Sequence, residues 1–395
     1  MSHLAHAPQR LASIEALRGA AALAVVAFHA AGTDVFLAPG QSFPALAMLT
    51  LPASFGFSGV FLFFVISGFC IHFAAARQKA AGGPDTVAFL PFWKRRLWRL
   101  YPTYWVALCL FVACNWAEGS LSPGARPFLW DLLLHGLMLH NLDPATVLTL
   151  NSVFWTLAVE EQLYLAYFLL LFLRRRLGWF RALALCLGAR LAWFGLAFAL
   201  HRLWGITIPV REAALAQWFP WALGAWGVEM AFGLTKRPAW VTRLSLAAGC
   251  LTLAAALDLV SRSARPGSLL QELIWLINDP LWGFGFFVLI SHAVWQESSR
   301  PPNWFSGEGV RGRVFNALRQ AGLISYSLYL THELILRHLA TAIAPWLPQA
   351  ASEVTLVRVF ILAPLALAFA WPFYWLFERP FARRRNTTPA LPAVN

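Results

Sequence analysis

An arginine and a histidine lie within one apolar stretch near the start of the chain, LASIEALRGAAALAVVAFHAA at residues 11–31. Eleven steps of about 100° return a helix almost to its starting direction, so Arg18 and His29 share one face about 16 Å apart along the axis. Ionisable side chains are costly in lipid and are usually retained there for function. The simpler alternative is an interfacial Arg and a packed core His. The shared face favours a functional pair, with a fixed cation at one end and a proton acceptor at the other.

The composition excludes a soluble domain. Hydrophobic residues make up 59% of the chain, charged residues only 12%, and the mean hydropathy is +0.59. Apolar runs recur along the sequence, each near the roughly 20 residues that an α-helix needs to cross hydrocarbon. The five cysteines fall within these runs and lack the spacing of a metal site or a disulfide framework. We therefore predict an all-α, polytopic membrane protein without a metal site.

The apolar runs predict about ten transmembrane helices. We place them at residues 12–31, 55–76, 100–117, 153–173, 179–200, 213–233, 244–261, 272–295, 321–342 and 354–378. An even number puts both termini on one side, and most of the 31 Lys and Arg residues fall on that side. The positive-inside rule then places both termini in the cytoplasm. The net charge of +13 is explained by these loops and does not indicate a nucleic-acid partner.

The segment FLWDLLLHGLMLHN at 128–141 is apolar but short for a membrane span, and it contains Asp131, His135 and His140. Counting it as a crossing would invert every later loop and place the arginine cluster at 174–176 outside. We therefore predict a re-entrant or interfacial helix on the extracytoplasmic side.

A cationic cluster opens the third predicted span, in PFWKRRLWRLYPTYW at 91–105. Arg96 and Arg99 are three residues apart and therefore share a helical face. Such a pair can bind phosphate through bidentate hydrogen bonds. The alternative is ordinary anchoring of a cytoplasmic helix end by positive charge.

Two adjacent carboxylates, Glu160 and Glu161, lie about 11 Å deep in the outer half of the fourth predicted span. Carboxylates there need a polar cavity or a cation partner. Pairing with an Arg from another helix would explain only one of them. The ninth predicted span adds a second polar set, formed by Ser325, Tyr326, Tyr329, His332 and Glu333. Alternatively, His332 is a packed, hydrogen-bonded residue of the helix bundle.

Six features, in this order, resemble the motif set of the acyltransferase-3 family. They are the spacing of Arg18 and His29, FFVISGF at 63–69, RRLWRLYP at 95–102, WTLAVEEQLYL at 155–165, SYSLYLTH at 325–332 and FERPF at 377–381. Members of this family are bacterial inner-membrane proteins that O-acylate surface polysaccharides, O-antigens, nodulation factors and peptidoglycan. The resemblance covers about residues 10–382, and it too implies ten helices.

The resemblance implies roles for the residues that match these motifs. It implies that His29 is the essential catalytic histidine and that Arg18 supports the acyl donor. Arg96 and Arg99 match the cytoplasmic Arg-x-x-Arg of the family, so they are expected to bind the donor as well.

The acidic position of the family is matched by Glu160 or Glu161, and the sequence leaves open which of them faces the cavity. Either carboxylate is expected to orient the imidazole and stabilise its protonated form. We expect His29 to act as a general base on an acceptor hydroxyl, with acceptance of the acyl group by the imidazole as the alternative. Additional predicted site residues are His332, Tyr329 and Trp155.

The resemblance implies an O-acyltransferase of the bacterial inner membrane. Its donor would be cytoplasmic acyl-CoA, with acetyl the expected acyl group, and we expect no permanently bound cofactor. Its acceptor would be a hydroxyl of an extracytoplasmic carbohydrate such as an exopolysaccharide or O-antigen. A single transmembrane acyltransferase domain at 11–382 would be flanked by a cytoplasmic segment at 1–10 and a disordered cytoplasmic tail at 383–395. The alternative is a transporter or flippase of lipid-linked glycan that uses the Arg, His and Glu side chains as a proton relay.

Overall fold

The computed structural model describes residues 11–31, 51–120, 126–265, 267–299, 309–346 and 356–383. This part of the chain is largely helical and contains no β-strand. Within it, eight helices are long and apolar enough to cross a membrane. The predicted all-α, polytopic membrane fold is therefore confirmed. The predicted segment at 1–10 and the tail beyond residue 383 lie outside the described residues.

The described residues contain the following α-helices in chain order. They are α1 (Ala12–Ala31), α2 (Gly59–Ala80), α3 (Phe89–Ala117), α4 (Arg126–Gly136), α5 (Trp155–Leu177), α6 (Trp179–Trp204), α7 (Ala214–Ala231), α8 (Leu244–Ser263), α9 (Leu269–Ser299), α10 (Val310–Leu323), α11 (Ser325–Glu333), α12 (Ala340–Ile343), α13 (Ala363–Phe373) and α14 (Arg379–Arg383). A 3₁₀ helix, Leu51–Ser58, leads into α2. The π-helices Leu334–Leu339 and Tyr374–Glu378 join α11 to α12 and α13 to α14, and a third, Arg358–Leu362, precedes α13.

Two of the ten predicted spans differ from the other eight. The span at 213–233 forms α7, which has 18 residues and buries two polar side chains, Gln217 and Glu229. The span at 321–342 is interrupted between α10 and α11 and again by a π-helix. Neither belongs to the eight helices that meet the length and apolarity of a membrane span. The count of ten and the cytoplasmic position of both termini therefore stay predictions.

The third span begins earlier than predicted, because α3 starts at Phe89 rather than near residue 100. Pro91 falls in the first helical turn, where proline is tolerated, and no breaker follows until Pro102. The cationic cluster of this segment is therefore carried on the helix itself. Arg96 and Arg99 are partly buried, whereas Lys94 and Arg95 are exposed.

The segment at 128–141 forms the 11-residue helix α4 and a short 3₁₀ turn, His140–Leu142. An α-helix of this length spans about 16 Å, about half of the hydrocarbon thickness. This agrees with the prediction that the segment does not cross the membrane. Its histidines, His135 and His140, are buried and stack with ring centroids 3.9 Å apart.

Glycines bring two pairs of helices into close contact. A Cβ added at Gly68 on α2 would overlap the carbonyl oxygen of Trp221 on α7, and one added at Gly224 would overlap that of Val65. On α1, a Cβ at Gly19 would overlap the carbonyl oxygen of Leu318 on α10. Small residues allow this approach between membrane helices. The close approach at Gly68 and Gly224 fixes α2 against α7.

A buried polar network ties α5 and α6 to α2 and α7. The Glu229 carboxylate accepts hydrogen bonds from His72 Nε2 at 3.1 Å, from Trp179 Nε1 at 2.6 Å and from the Arg174 guanidinium. Arg174 also donates to Asp85, in the loop after α2, at 2.5 Å. Burial opposes ionisation of Asp85, but the bonds from Lys79 and Arg174 hold its pKa below the ordinary value. The loop is thereby anchored to α5.

Candidate active site

His29 lies near the carboxyl end of α1 with its side chain 22% exposed. Its Nδ1 is 2.9 Å from the carbonyl oxygen of Val25, one turn earlier. Because a carbonyl oxygen can only accept, this contact assigns the Nδ1–H tautomer to the neutral ring. Nε2 then carries the free lone pair, as a proton acceptor requires.

His332 supports this assignment from α11. Its Nδ1 lies 3.1 Å from the Leu328 carbonyl oxygen and 2.9 Å from that of Tyr329, so Nδ1 donates and Nε2 accepts. The His332 Nε2 lone pair lies 3.3 Å from His29 Nδ1. The His29 Nδ1–H is therefore shared between a backbone carbonyl and His332, and both contacts favour the same tautomer.

Glu333 is the carboxylate beside the His29 ring. Its Oε1 lies 3.5 Å from His29 Nε2 and accepts a hydrogen bond from the Ser152 hydroxyl at 2.7 Å. The Glu333 side chain is only 6% exposed, and Oε2 has no hydrogen-bond partner among the described residues. A carboxylate at this distance does little for a neutral Nε2 but attracts an Nε2–H that has taken up a proton. The arrangement stabilises the imidazolium form of His29.

The sequence predicted Glu160 or Glu161 for this position, and the structure places both elsewhere on α5. The Glu160 carboxylate accepts hydrogen bonds from Ser67 at 2.6 Å and from Tyr164 at 2.5 Å. Glu161 accepts from Tyr101 at 3.4 Å. One helical step separates the two side chains by about 100°, so they cannot share one partner across the helix. In the described contacts the carboxylate next to His29 is Glu333.

Three of the predicted site residues line one cavity of 290 Å³. They are His29, Trp155 at the first turn of α5, and Tyr329 on α11. The Tyr329 hydroxyl is 2.7 Å from the Thr156 hydroxyl. The cavity lies where the carboxyl end of α1 meets the amino ends of α2, α5 and α7, so these helix ends face the same side of the bundle.

The arginines predicted to bind the donor, Arg18, Arg96 and Arg99, lie near one another and do not line the cavity. The Cys70 thiol on α2 interacts electrostatically with Arg18, Arg99 and Arg96 and also with Glu160. The Cys70 side chain has accessible surface although protein groups surround it closely, so the arginines border an open space beside α2. The Arg96 guanidinium lies 5.6 Å from the Phe92 ring centroid and 5.8 Å from that of Tyr164. We name Arg18, Arg96 and Arg99 the arginine cluster.

Glu160 interacts electrostatically with residues of both regions. One is Cys70, which also interacts with the arginine cluster, and the other is Tyr329, a cavity residue. Arg18 and His29 are about 16 Å apart along α1. One face of α1 therefore carries both Arg18, a member of the arginine cluster, and the imidazole of His29.

A carboxylate of the FERPF motif interacts with two members of the arginine cluster. Glu378 interacts electrostatically with Arg99 and Arg18. Its carboxylate also accepts a hydrogen bond from the Ser327 hydroxyl at 2.6 Å and from the Ser327 backbone N–H at 3.1 Å. The SYS and FERPF motifs are thus in contact, although 51 residues separate them.

The same histidines and carboxylate are a group that could hold a metal ion. The candidate ligand atoms of His29, His332 and Glu333 lie within 4.8 Å of one another. Two histidines and one carboxylate are a common ligand set for divalent metals. The hydrogen bond between the two histidines uses the same nitrogen lone pair that a metal would need on His332. Proton transfer and metal binding are therefore competing uses of this site.

The sequence analysis named Glu333 but gave it no role. It did not identify Ser152 or the polar part of the cavity wall, which is formed by Arg211, Glu212 and Gln217. The available signal for Glu333 was its position next to a histidine in an apolar segment. For the loop residues no periodic pattern exists that could have placed them.

Comparison with known proteins identifies the family of the chain. The chain matches a family described as an acyltransferase domain over residues 11–375. A segment of 163 residues is 33% identical to the acyltransferase MdmB of Streptomyces mycarofaciens, covering 40% of this chain and 38% of that relative. The match therefore spans less than half of the relative's length, and no solved structure matches the chain. The family match covers nearly all of the membrane-spanning region, and the chain belongs to the acyltransferase-3 family of membrane acyltransferases.

Proposed function

We propose that the protein transfers an acyl group, expected to be acetyl, from cytoplasmic acyl-CoA to a hydroxyl of an extracytoplasmic carbohydrate. The observation that best supports this proposal is the arrangement along α1, where the arginine cluster includes Arg18 and the cavity includes His29. A donor made inside and an acceptor exposed outside require two such sites in one protein.

The arginine cluster would bind the donor. CoA carries several phosphate charges, and guanidinium groups bind phosphate through paired N–H donors. Arg96 and Arg99 share one face of α3, and Arg18 joins them from α1. The axial offset of about 16 Å between Arg18 and His29 is comparable to the reach of the extended pantetheine arm. The thioester could therefore lie near His29 while the phosphates stay with the arginines.

His29 would act as the general base. As the acceptor oxygen forms its bond to the thioester carbonyl carbon, Nε2 takes the hydroxyl proton. Glu333 stabilises the resulting imidazolium at 3.5 Å, and the His332 contact keeps the ring oriented. The carbon–sulfur bond then breaks, and the CoA thiolate takes the proton from Nε2. The products are free CoA and the O-acylated carbohydrate, and His29 is neutral again.

Attack by Nε2 itself would form an acyl-imidazole before the acceptor reacts. That route predicts ping-pong kinetics and a burst of CoA release without acceptor. Direct transfer predicts that CoA release requires both substrates. Steady-state rates at several fixed acceptor concentrations separate these routes.

Purified protein in proteoliposomes, supplied with radiolabelled acetyl-CoA and extracted surface polysaccharide, tests the function. The proposal expects free CoA and label on the polysaccharide in equal amounts. Movement of the glycan across the bilayer without CoA release would instead support the transporter alternative. Unlabelled polysaccharide in an otherwise active preparation would overturn carbohydrate as the acceptor class.

The donor side is tested by a double substitution, Arg96→Ala with Arg99→Ala. We expect the affinity for acetyl-CoA to fall at least tenfold, because hydrogen bonds to charged groups contribute about 1.5–3 kcal/mol each. Arg95→Ala is the matched control, since this exposed arginine lies on the same helix. Equal affinity for acetyl-CoA in the double variant and the control would mean that the cluster only anchors the helix at the membrane.

A further inference from the structure

Part of the cavity wall carries polar groups that the proposed mechanism does not use. Arg211 and Glu212 lie in the loop before α7, and Gln217 lies in its first turn. All three line the same cavity as His29. Ligand sites combine apolar side chains with a few polar groups that orient the ligand. The polar residues beside Phe57 and the other apolar side chains therefore indicate a binding role.

Gln217 presents an unpaired acceptor. Its side chain is 1% exposed, and its Nε2 donates to the Arg211 carbonyl oxygen at 2.8 Å. Its Oε1 is buried and has no hydrogen-bond partner among the described residues. Buried amide oxygens are nearly always hydrogen-bonded, so an oxygen without a partner at a cavity wall indicates a missing donor. A ligand in the cavity would supply it.

Arg211 presents a donor that is held rigidly. Its Nε and Nη2 donate to the two Asp279 oxygens at 3.1 and 2.6 Å. Asp279 is completely buried and also accepts from Arg190 at 3.0 Å. These bonds use one edge of the Arg211 guanidinium, and no described residue accepts from its Nη1. The free edge is therefore fixed in position before any ligand arrives.

Glu212 presents a second acceptor. Its backbone carbonyl oxygen accepts from Asn141 Nδ2 at 2.9 Å, which ties this loop to the segment after α4. The backbone N–H groups of Arg211 and Glu212 interact with its carboxylate, whose two oxygens can accept further hydrogen bonds. Burial raises the pKa of Glu212, because the site is poorly hydrated. The carboxyl group therefore favours a ligand that can donate a hydrogen bond.

The remaining cavity surface suits the apolar face of a sugar ring. Trp155 and Phe57 line it from α5 and from the 3₁₀ helix before α2. Aromatic rings pack against C–H surfaces and bury area at low entropic cost. The volume of 290 Å³ is at the small end of ligand sites, which fits one sugar unit rather than a longer segment.

We propose that Arg211, Glu212 and Gln217 form the acceptor subsite and bind the hydroxyls that neighbour the one acylated at His29. A sugar hydroxyl both donates and accepts, so adjacent hydroxyls can donate to Gln217 and Glu212 and accept from Arg211. This subsite rests on the proposed function and adds the residues that select the acceptor. It makes acceptor choice a property of the loop before α7.

The test compares acceptors with and without a neighbouring hydroxyl. The probes are methyl glycosides of glucose, galactose and mannose, together with the singly deoxygenated derivatives of the best of them. Wild-type protein is expected to show an acceptor KM at least about tenfold higher for one deoxy derivative, because a buried hydrogen bond is lost. Gln217→Met and Glu212→Gln should raise the KM for the parent glycoside similarly and leave kcat within about threefold.

Each variant is expected to lose its discrimination against one deoxy derivative, which a general packing defect would not do. Gln296→Met is the control, because this glutamine contacts His292 on α9 and does not line the cavity. Binding of acetyl-CoA shows that each variant is folded. Unchanged acceptor KM in both variants, with wild-type transfer to extracted polysaccharide, overturns the subsite alone. Absence of transfer by wild-type protein to every carbohydrate overturns the proposed function beneath it.

Discussion

The carboxylate of Glu333 gives the sharpest quantitative prediction. Substitution Glu333→Gln keeps the shape of the side chain and removes its charge from a point 3.5 Å from His29 Nε2. At an effective dielectric constant of about 20, opposite unit charges at that distance attract by about 5 kcal/mol. Because imidazolium exists only as the proton is transferred, this attraction lowers the barrier rather than the ground state.

A loss of about 5 kcal/mol would slow the reaction by about 5 × 10³-fold. His29 is 22% exposed, so solvent replaces part of the attraction. We therefore expect kcat of Glu333→Gln to fall between about 10²-fold and 10³-fold. The KM for acetyl-CoA should change little, because the proposed donor site is the arginine cluster and not Glu333.

The assay measures transfer of labelled acetyl from CoA under saturating donor. Glu118→Gln is the matched control, since Glu118 also pairs with a histidine, His338, at 2.7 Å but does not line the cavity. The control should keep kcat within about twofold. A Glu333→Gln variant as active as this control would refute the role of Glu333 and the assignment of His29 Nε2 as the base.

Other expected outcomes follow from the same contacts. The thiol of Cys70 should react with a maleimide, and saturating CoA should slow that reaction at least about tenfold. An equal labelling rate with and without CoA would show that the donor does not bind at the arginine cluster. Gly68→Leu should lower the melting temperature and the activity because of its overlap with α7, whereas Gly249→Leu, which faces open space, should change neither; equal melting temperatures would contradict the close packing. Asp279→Asn should destabilise the protein by about 3–5 kcal/mol because it leaves the Arg190 charge uncompensated, and an unchanged free energy of unfolding would argue against this account.

The sequence predicted the helices of this fold well where apolar runs had clear ends. Two predicted spans are not among the helices that meet the length and apolarity of a membrane span, and both stay predictions. The run at 213–233 contains polar residues that pair inside the bundle, as Glu229 does with His72. The run at 321–342 is interrupted at Ile324, two residues after Gly322, and again by a π-helix.

The site was predictable only in part. Helical periodicity showed that Arg18 and His29 share a face, because both belong to one element. The partner of His29 is Glu333, more than 300 residues later, and periodicity says which face a residue occupies but not which helix meets it. The adjacent pair of acids on α5 therefore seemed the stronger candidate, although tertiary packing places Glu160 with Ser67 and Tyr164. Loop residues such as Arg211 and Glu212 carry even less signal.

The central claim is that His29 is the base for acyl transfer, and His29→Ala tests it most directly. The variant should bind acetyl-CoA and protect the Cys70 thiol as wild-type protein does, because the arginine cluster is about 16 Å away along α1. Its transfer of labelled acetyl to polysaccharide should fall to background, while His292→Ala, which replaces a histidine outside the cavity, stays active. Transfer by His29→Ala at the wild-type rate would contradict the account.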